Sequence, residues 1–262
     1  MVKFKKTHIV IIAILSFVWI FSMIGITIFR PFSENIYWTY IGITYLITVI
    51  LGTVGLGLAA KTFSLKSKTG RNLGLLTIGM SSMTLGELVY LLNNIIYQEA
   101  QFPSIADLFY STAFIFIIIA LYYQFRLINI KMSLKLVLIH ILIISIFLFL
   151  VLWIEIIPIL RRPISPDFSL EQKILGIWYP IINIIIITLI GLIFIKFKGG
   201  NISYAYSLLL CGFICEVIAD TSYALLEILE LYGPFNPIDI FWCVGYLLIG
   251  FGGIYQVYLV KE

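Results

Sequence analysis

SLKLVLIHILIISIFLFLVLWIEII, running from Ser133 to Ile157, decides the class of this chain. A run of roughly 20 apolar residues, coiled at about 1.5 Å per residue, is long enough to cross a hydrocarbon core of about 30 Å. Working outward in both directions, comparable runs recur until there are eight: about 8–29, 37–62, 72–98, 105–127, 133–157, 173–197, 202–230 and 238–259. Composition agrees: 61 % of the residues are apolar and only 11 % charged, against about 25 % charged in a soluble domain. The first run follows Met1-Val2-Lys3-Phe4-Lys5-Lys6 but is too long for a secretory signal and lacks a small-residue cleavage site, so it reads as a helix. The predicted fold is therefore an all-α integral membrane protein of eight transmembrane helices, with the lipid bilayer as its first partner. The connections are short, so any function lies among the helices.

Charge predicts the orientation. With the N-terminus inside, the inner segments hold 13 Lys and Arg residues, while the outer ones hold four: Arg30, Arg161, Arg162 and Lys173. That sign satisfies the positive-inside rule and puts both termini in the cytoplasm of a cell-membrane protein. The net charge of +4 is explained by cytoplasmic lysines beside anionic lipid, with no nucleic acid needed.

The chain also repeats itself. Asp107-Leu-Phe-Tyr110 opens a stretch ending in Tyr123-Gln124, and Asp239-Ile-Phe-Trp242 opens one ending in Tyr255-Gln256, 132 residues later. Gly79, Glu87 and Tyr90 correspond to Gly212, Asp220 and Tyr223 at a spacing of 133. Such self-similarity marks a duplicated unit. Residues 1–131 and 132–262 then form two four-helix repeats in the same orientation, related by an axis along the membrane normal. The match is clear for helices 3–4 with 7–8 and rests on count for helices 1–2 with 5–6.

The recurrent polar residues are the site candidates. Ser104 to Asp107 fits a capping box, and Asn236-Pro237-Ile238-Asp239 places Asn at the N-cap and Asp at N3, so capping competes with a ligand role for Asp107 and Asp239. Glu87 and Asp220 lie about 15–18 residues into their helices, roughly 22–27 Å along, where no cap is possible. A carboxylate at that depth is costly unless neutral, paired or in a watery cavity, which makes it a functional candidate. Glu216, one turn before Asp220, adds a third acid, and acids that close favour retaining a proton among them. Tyr90 and Tyr223 sit beside the acids, while Tyr110 and Phe114, and likewise Trp242 and Tyr246, follow the aspartates at helical spacing. Trp178-Tyr179-Pro180 opens helix 6, with Asn183 one turn deeper. An outward cavity with aromatic walls and a carboxylate floor suits a cation, an amine or a partly apolar small molecule. Interfacial belting is the competing explanation for the aromatic residues near helix ends.

Enzymatic chemistry finds no foothold. His8 and His140 lie toward helix ends, no metalloprotease motif or nucleophile elbow occurs, and the glycines of Gly52-Thr-Val-Gly-Leu-Gly57 lie mid-membrane with no strand before them. Cys211, Cys215 and Cys243 read as packing residues. No metal or other cofactor is expected.

Pro103-Ser-Ile-Ala-Asp107-Leu-Phe-Tyr110 resembles an element of the multipass N-terminal sensor modules of membrane-bound diguanylate cyclases and histidine kinases. Trp178-Tyr179-Pro180-Ile-Ile-Asn183 is similar to their Tyr-Pro-x-x-Asp element, with Asn183 in place of the acid, and Ala219-Asp220-Thr-Ser-Tyr223 with Asp239-Ile-Phe-Trp242 resembles the second-half elements. The resemblance implies a membrane-embedded sensory module that binds a small molecule or a proton and passes the event on. The proteins it resembles continue into a cytoplasmic output domain, whereas this sequence ends at Val260-Lys261-Glu262. It is expected to act alone, through a signalling partner or as part of a longer sensor, with a homo-oligomer as a further expectation. The alternative expectation is a small proton-coupled secondary transporter built on the same repeat.

Overall fold

The computed structural model describes residues 6–97, 102–128, 133–165, 168–196, 201–229 and 231–259. It is all-helical, and among the described residues the sole β feature is an isolated Ser165–Phe168 bridge. Four helices come first: α1 (Lys6–Phe29), α2 (Glu34–Phe63), α3 (Lys68–Tyr97) and α4 (Ile105–Leu127). α5 spans Leu134–Arg161 and contains a π-helical turn at Leu152–Ile156; α6 (Leu170–Lys196), α7 (Asn201–Ile228) and α8 (Asp239–Leu259) complete the chain. Among the described residues, eight helices are long and apolar enough to cross a membrane, the pattern of a multi-pass membrane protein.

The π turn has a local cause. Pro158 lacks an N–H and cannot donate to the carbonyl four residues back, so the helix widens in the turn before it. α6 begins earlier than the apolar run alone indicates. Ser169 and Gln172 cap it reciprocally, with the Ser169 N–H donating to Gln172 Oε1 at 2.7 Å and the Gln172 N–H to Ser169 Oγ at 3.2 Å. Pro180 therefore lies inside the helix and does not open it.

Six helices close a ring in the order α2, α3, α4, α6, α7, α8, while α1 lies outside against α8 and α5 outside against α6. The ring is uneven. α2 packs extensively on both α3 and α8, while α6 touches its neighbours α4 and α7 sparsely. In lipid, apolar side chains gain little by meeting one another, so close association depends on small residues that let backbones approach. α2 and α8 have them: a Cβ on Gly55 would strike the Gly250 backbone, and one on Gly253 would strike the Gly55 backbone. The face that α6 turns into the ring carries Ile182, Ile186, Ile190 and Ile193, all buried and all branched at Cβ, which keeps it at a distance. Its glycines serve α5 instead. Gly191 faces the His140 ring, whose Nε2 lies 3.1 Å from the Thr188 carbonyl oxygen, and Gly176 faces Ile159. The outer helices leave broad apolar faces uncovered, with Phe17 and Phe149 among the exposed side chains.

Candidate functional site

Where α6 stands off, the ring encloses a cavity of about 1200 Å³ at the end of the bundle where α3 finishes and α4 begins. Of the sequence-predicted residues, Glu87, Tyr90, Asp107, Tyr110, Glu216, Asp220, Tyr223, Trp242 and Tyr246 all line it. Asp239 and Asn183 do not; Asn183 lines a small, mostly apolar void that adjoins Glu216 and Tyr246.

Two of the deep acids, Glu87 and Asp220, accept hydrogen bonds from α8. Glu87 on α3 is 6 % exposed and accepts a 2.8 Å hydrogen bond from the Tyr246 hydroxyl of α8, while Tyr110 of α4 lies against the same carboxyl. Gly86 makes room for that ring, since a Cβ there would overlap Tyr110. Asp220 on α7 accepts from Trp242 Nε1 at 2.9 Å, and Asn183 approaches it from α6. Asp220 Oδ2 has no donor among the described residues. Glu216, also 6 % exposed, is packed over Gly245, and its buried Oε1 likewise lacks a donor among the described residues.

The two aspartates that head α4 and α8 serve differently. Asp107 forms the expected capping box, its Oδ2 accepting from the Ser104 N–H at 2.7 Å, and its Oδ1 accepts from the Tyr179 hydroxyl of α6 at 2.6 Å. Asp239 is fully buried outside the cavity, accepting from Tyr37 at 2.6 Å and Tyr232 at 2.9 Å. The cap at that turn is made by Asn236, whose Oδ1 accepts from the Ile238 N–H at 3.2 Å. Burial, reinforced by the neighbouring Asp239 charge, pushes the Tyr232 phenol well above its usual pKa, so it remains a donor. Both aspartates thus tie the fourth helix of one half to the second helix of the other, Asp107 to α6 and Asp239 to α2.

Aromatic rings form the walls. Tyr223 stands edge-on to Trp242 at 5.8 Å and to Tyr232 at 4.7 Å, and Trp242 meets Tyr45 at 5.6 Å. Cys243 is buried, Cys215 half-buried and Cys211 exposed. Among the described residues, no three His, Cys, Asp or Glu side chains converge as metal ligands do.

Two acids have no place in the sequence-based expectations: Glu227 of α7, which lines the cavity, and Glu155. Glu155 is 2 % exposed in the π turn of α5 and lies within electrostatic reach of Asp220. Its signal was available: a lone acid in an apolar run, three residues before a proline. A second polar group lies toward the opposite end, where Asn72 Nδ2 donates to Gln124 Oε1 at 2.7 Å and the fully buried Gln256 amide has no partner among the described residues. No family model matches the chain, and neither does any curated protein or any solved structure.

Proposed function

We propose that this protein is a membrane-embedded sensory module that binds a small ligand in an outward-facing cavity between α3, α4, α7 and α8, with α6 as its loosely packed wall. The observation that carries the reading is the convergence of Glu87, Glu216 and Asp220, from two helices, on one aromatic-walled space large enough for a small molecule. Acids at such depth are costly, and a cavity that admits water or a cation accounts for keeping them. Ligand binding would shift α4 and α8, whose far ends carry Gln124 and Gln256, toward a cytoplasmic partner.

The duplicated architecture has its own support. Gly79 meets Ala113 and Ile117, while Gly212 meets Gly245 and Ile249, so one helix crossing recurs at the repeat spacing. Exchanging α2, α3 and α4 for α6, α7 and α8 also leaves the order of the ring unchanged. With the positive-inside count, the reading places both termini in the cytoplasm of a cell-membrane protein.

The test is thermal stabilisation of the purified chain against a small-molecule library. Hits are expected to stabilise the protein, and Glu87→Gln combined with Asp220→Asn is expected to abolish the effect. Stabilisation that survives the double substitution would place the binding site elsewhere.

A proton-coupled transporter is the second reading, favoured by the π turn of α5, Pro180 within α6 and the buried amides Asn72, Gln124 and Gln256 beyond the cavity. Accumulation of a stabilising ligand in proteoliposomes under a pH gradient would select it; a sensor gives none.

A further inference from the structure

The cavity lining departs from the repeat at several positions, and at one of them two departures are linked. Position 83 is Met in the first half and its counterpart 216 is Glu, while position 113 is Ala and its counterpart 245 is Gly. The two departures belong together, because the Glu216 carboxyl occupies the space that a Cβ on residue 245 would fill. At this position an acid has therefore been accommodated at the expense of a methyl group on the neighbouring helix.

The α7 wall is left with unused capacity. Glu216 Oε1 and Asp220 Oδ2, one turn apart on α7, are both buried and have no donor among the described residues. These two oxygens have no exposed surface as they stand, but the carboxyl groups that carry them belong to residues lining the cavity, and a carboxylate accepts, so a group bound there carries N–H or O–H. Charge narrows the choice. Glu87, Asp107, Glu216, Asp220 and Glu227 line the cavity against a single Arg162, which is drawn aside with its guanidinium 4.4 Å from the Phe168 ring centroid. The acids are spread around a space far larger than a metal ion needs. The rings of Tyr223 and Trp242 offer faces suited to a carbon skeleton and to positive charge.

We infer that the cavity binds a primary or secondary organic ammonium, its N–H groups taken by Glu216 and Asp220 and its apolar body lying against Tyr223 and Trp242. The inference rests on the ligand-binding reading above and deepens it. Hydrogen bonds assisted by charge are the stronger kind, so the ammonium head supplies most of the selectivity.

Three matched probes test it by calorimetric titration of the full chain in lipid nanodiscs: 2-phenylethylammonium, its N,N,N-trimethyl derivative and uncharged 2-phenylethanol. The expected result is saturable binding of 2-phenylethylammonium about tenfold or more tighter than either of the others. Glu216→Gln is expected to reduce that preference to roughly threefold or less. Asp220→Asn serves as the second variant should the first not fold. Equal binding of all three probes overturns the ammonium assignment but leaves a ligand-binding cavity. A preference untouched by either substitution overturns the assignment to Glu216 and Asp220. No saturable binding of any probe overturns the ammonium assignment, and the ligand-binding reading falls with it only if the small-molecule library also gives no stabilising compound.

Discussion

At the scale of single residues, Asp107 and Asp239 show how identical local patterns acquire different roles. Both head a helix and both follow a capping residue, which makes them indistinguishable in the sequence. Their separation comes from the facing helix: α6 offers one tyrosine hydroxyl to Asp107, whereas Asp239 is enclosed by Tyr37 and Tyr232 with no solvent contact. Removing a donor from a fully buried carboxyl leaves it under-satisfied, at about 1–3 kcal/mol. Tyr37→Phe is therefore expected to lower unfolding stability in detergent by that amount, and Asp239→Asn combined with it to cost less than the sum of the two single changes. Additive losses would show that the pair does not interact. Glu216 and Gly245 allow a sharper test. Gly245→Ala drives a methyl into the Glu216 carboxyl and is expected to destabilise by about 1–3 kcal/mol. Adding Glu216→Met recreates the Met83 and Ala113 pairing of the first half and is expected to recover most of the loss. Recovery matters more than loss, because any overpacked glycine can destabilise.

At the scale of elements, α2 and α6 occupy matching places in the ring and behave differently because their contact faces differ in bulk. Gly55 brings α2 onto the Gly250 backbone, and a backbone cannot yield as a side chain does. Gly55→Ala is expected to cost about 1–3 kcal/mol. Gly57→Ala, where the nearest atom is Thr77 Cγ2 at an ordinary 3.5 Å, is expected to stay within about 0.5 kcal/mol of neutral. Equal effects in an unfolding titration would mean that the α2–α8 contact is not the tight one. The helices themselves were legible in the sequence, since an apolar run of this length has only one way to satisfy its backbone in lipid. Their interruptions were less so. The apolar pattern of residues 133–157 runs straight through the π turn, and its cause, Pro158, lies just past the run. Glu155 is hard to single out for the same reason, since the residues around it are apolar. α6 starts ahead of its apolar run because the polar Ser169–Gln172 cap lies upstream of the apolar residues that define the span.

At the scale of the whole molecule, the candidate cavity was partly legible because helical spacing reports which side chains share a face. Glu87 with Tyr90, and Asp220 with Glu216 and Tyr223, could be grouped that way. Which helices face one another is a tertiary matter, which is why Asn183 and Asp239 were grouped with a cavity that neither lines. Orientation in the bilayer is also a property of the whole chain, set by the sum of many weak preferences. By the positive-inside rule, the 13 basic residues on one side against four on the other are expected to leave the connection of residues 30–33 outside and that of residues 64–67 inside. Ser33 and Lys66 are both exposed and lie in these two connections, one on each side of α2. In a background with Cys211, Cys215 and Cys243 replaced by alanine, Ser33→Cys is expected to react with a membrane-impermeant maleimide on intact cells. Lys66→Cys is expected to react only after permeabilisation. The Lys66 substitution removes one of the 13 inner charges, too small a change in so lopsided a count to turn the protein over. Labelling of Lys66→Cys on intact cells with protection of Ser33→Cys would mean that the acidic cavity opens to the cytoplasm, and an external signal could not then be its ligand.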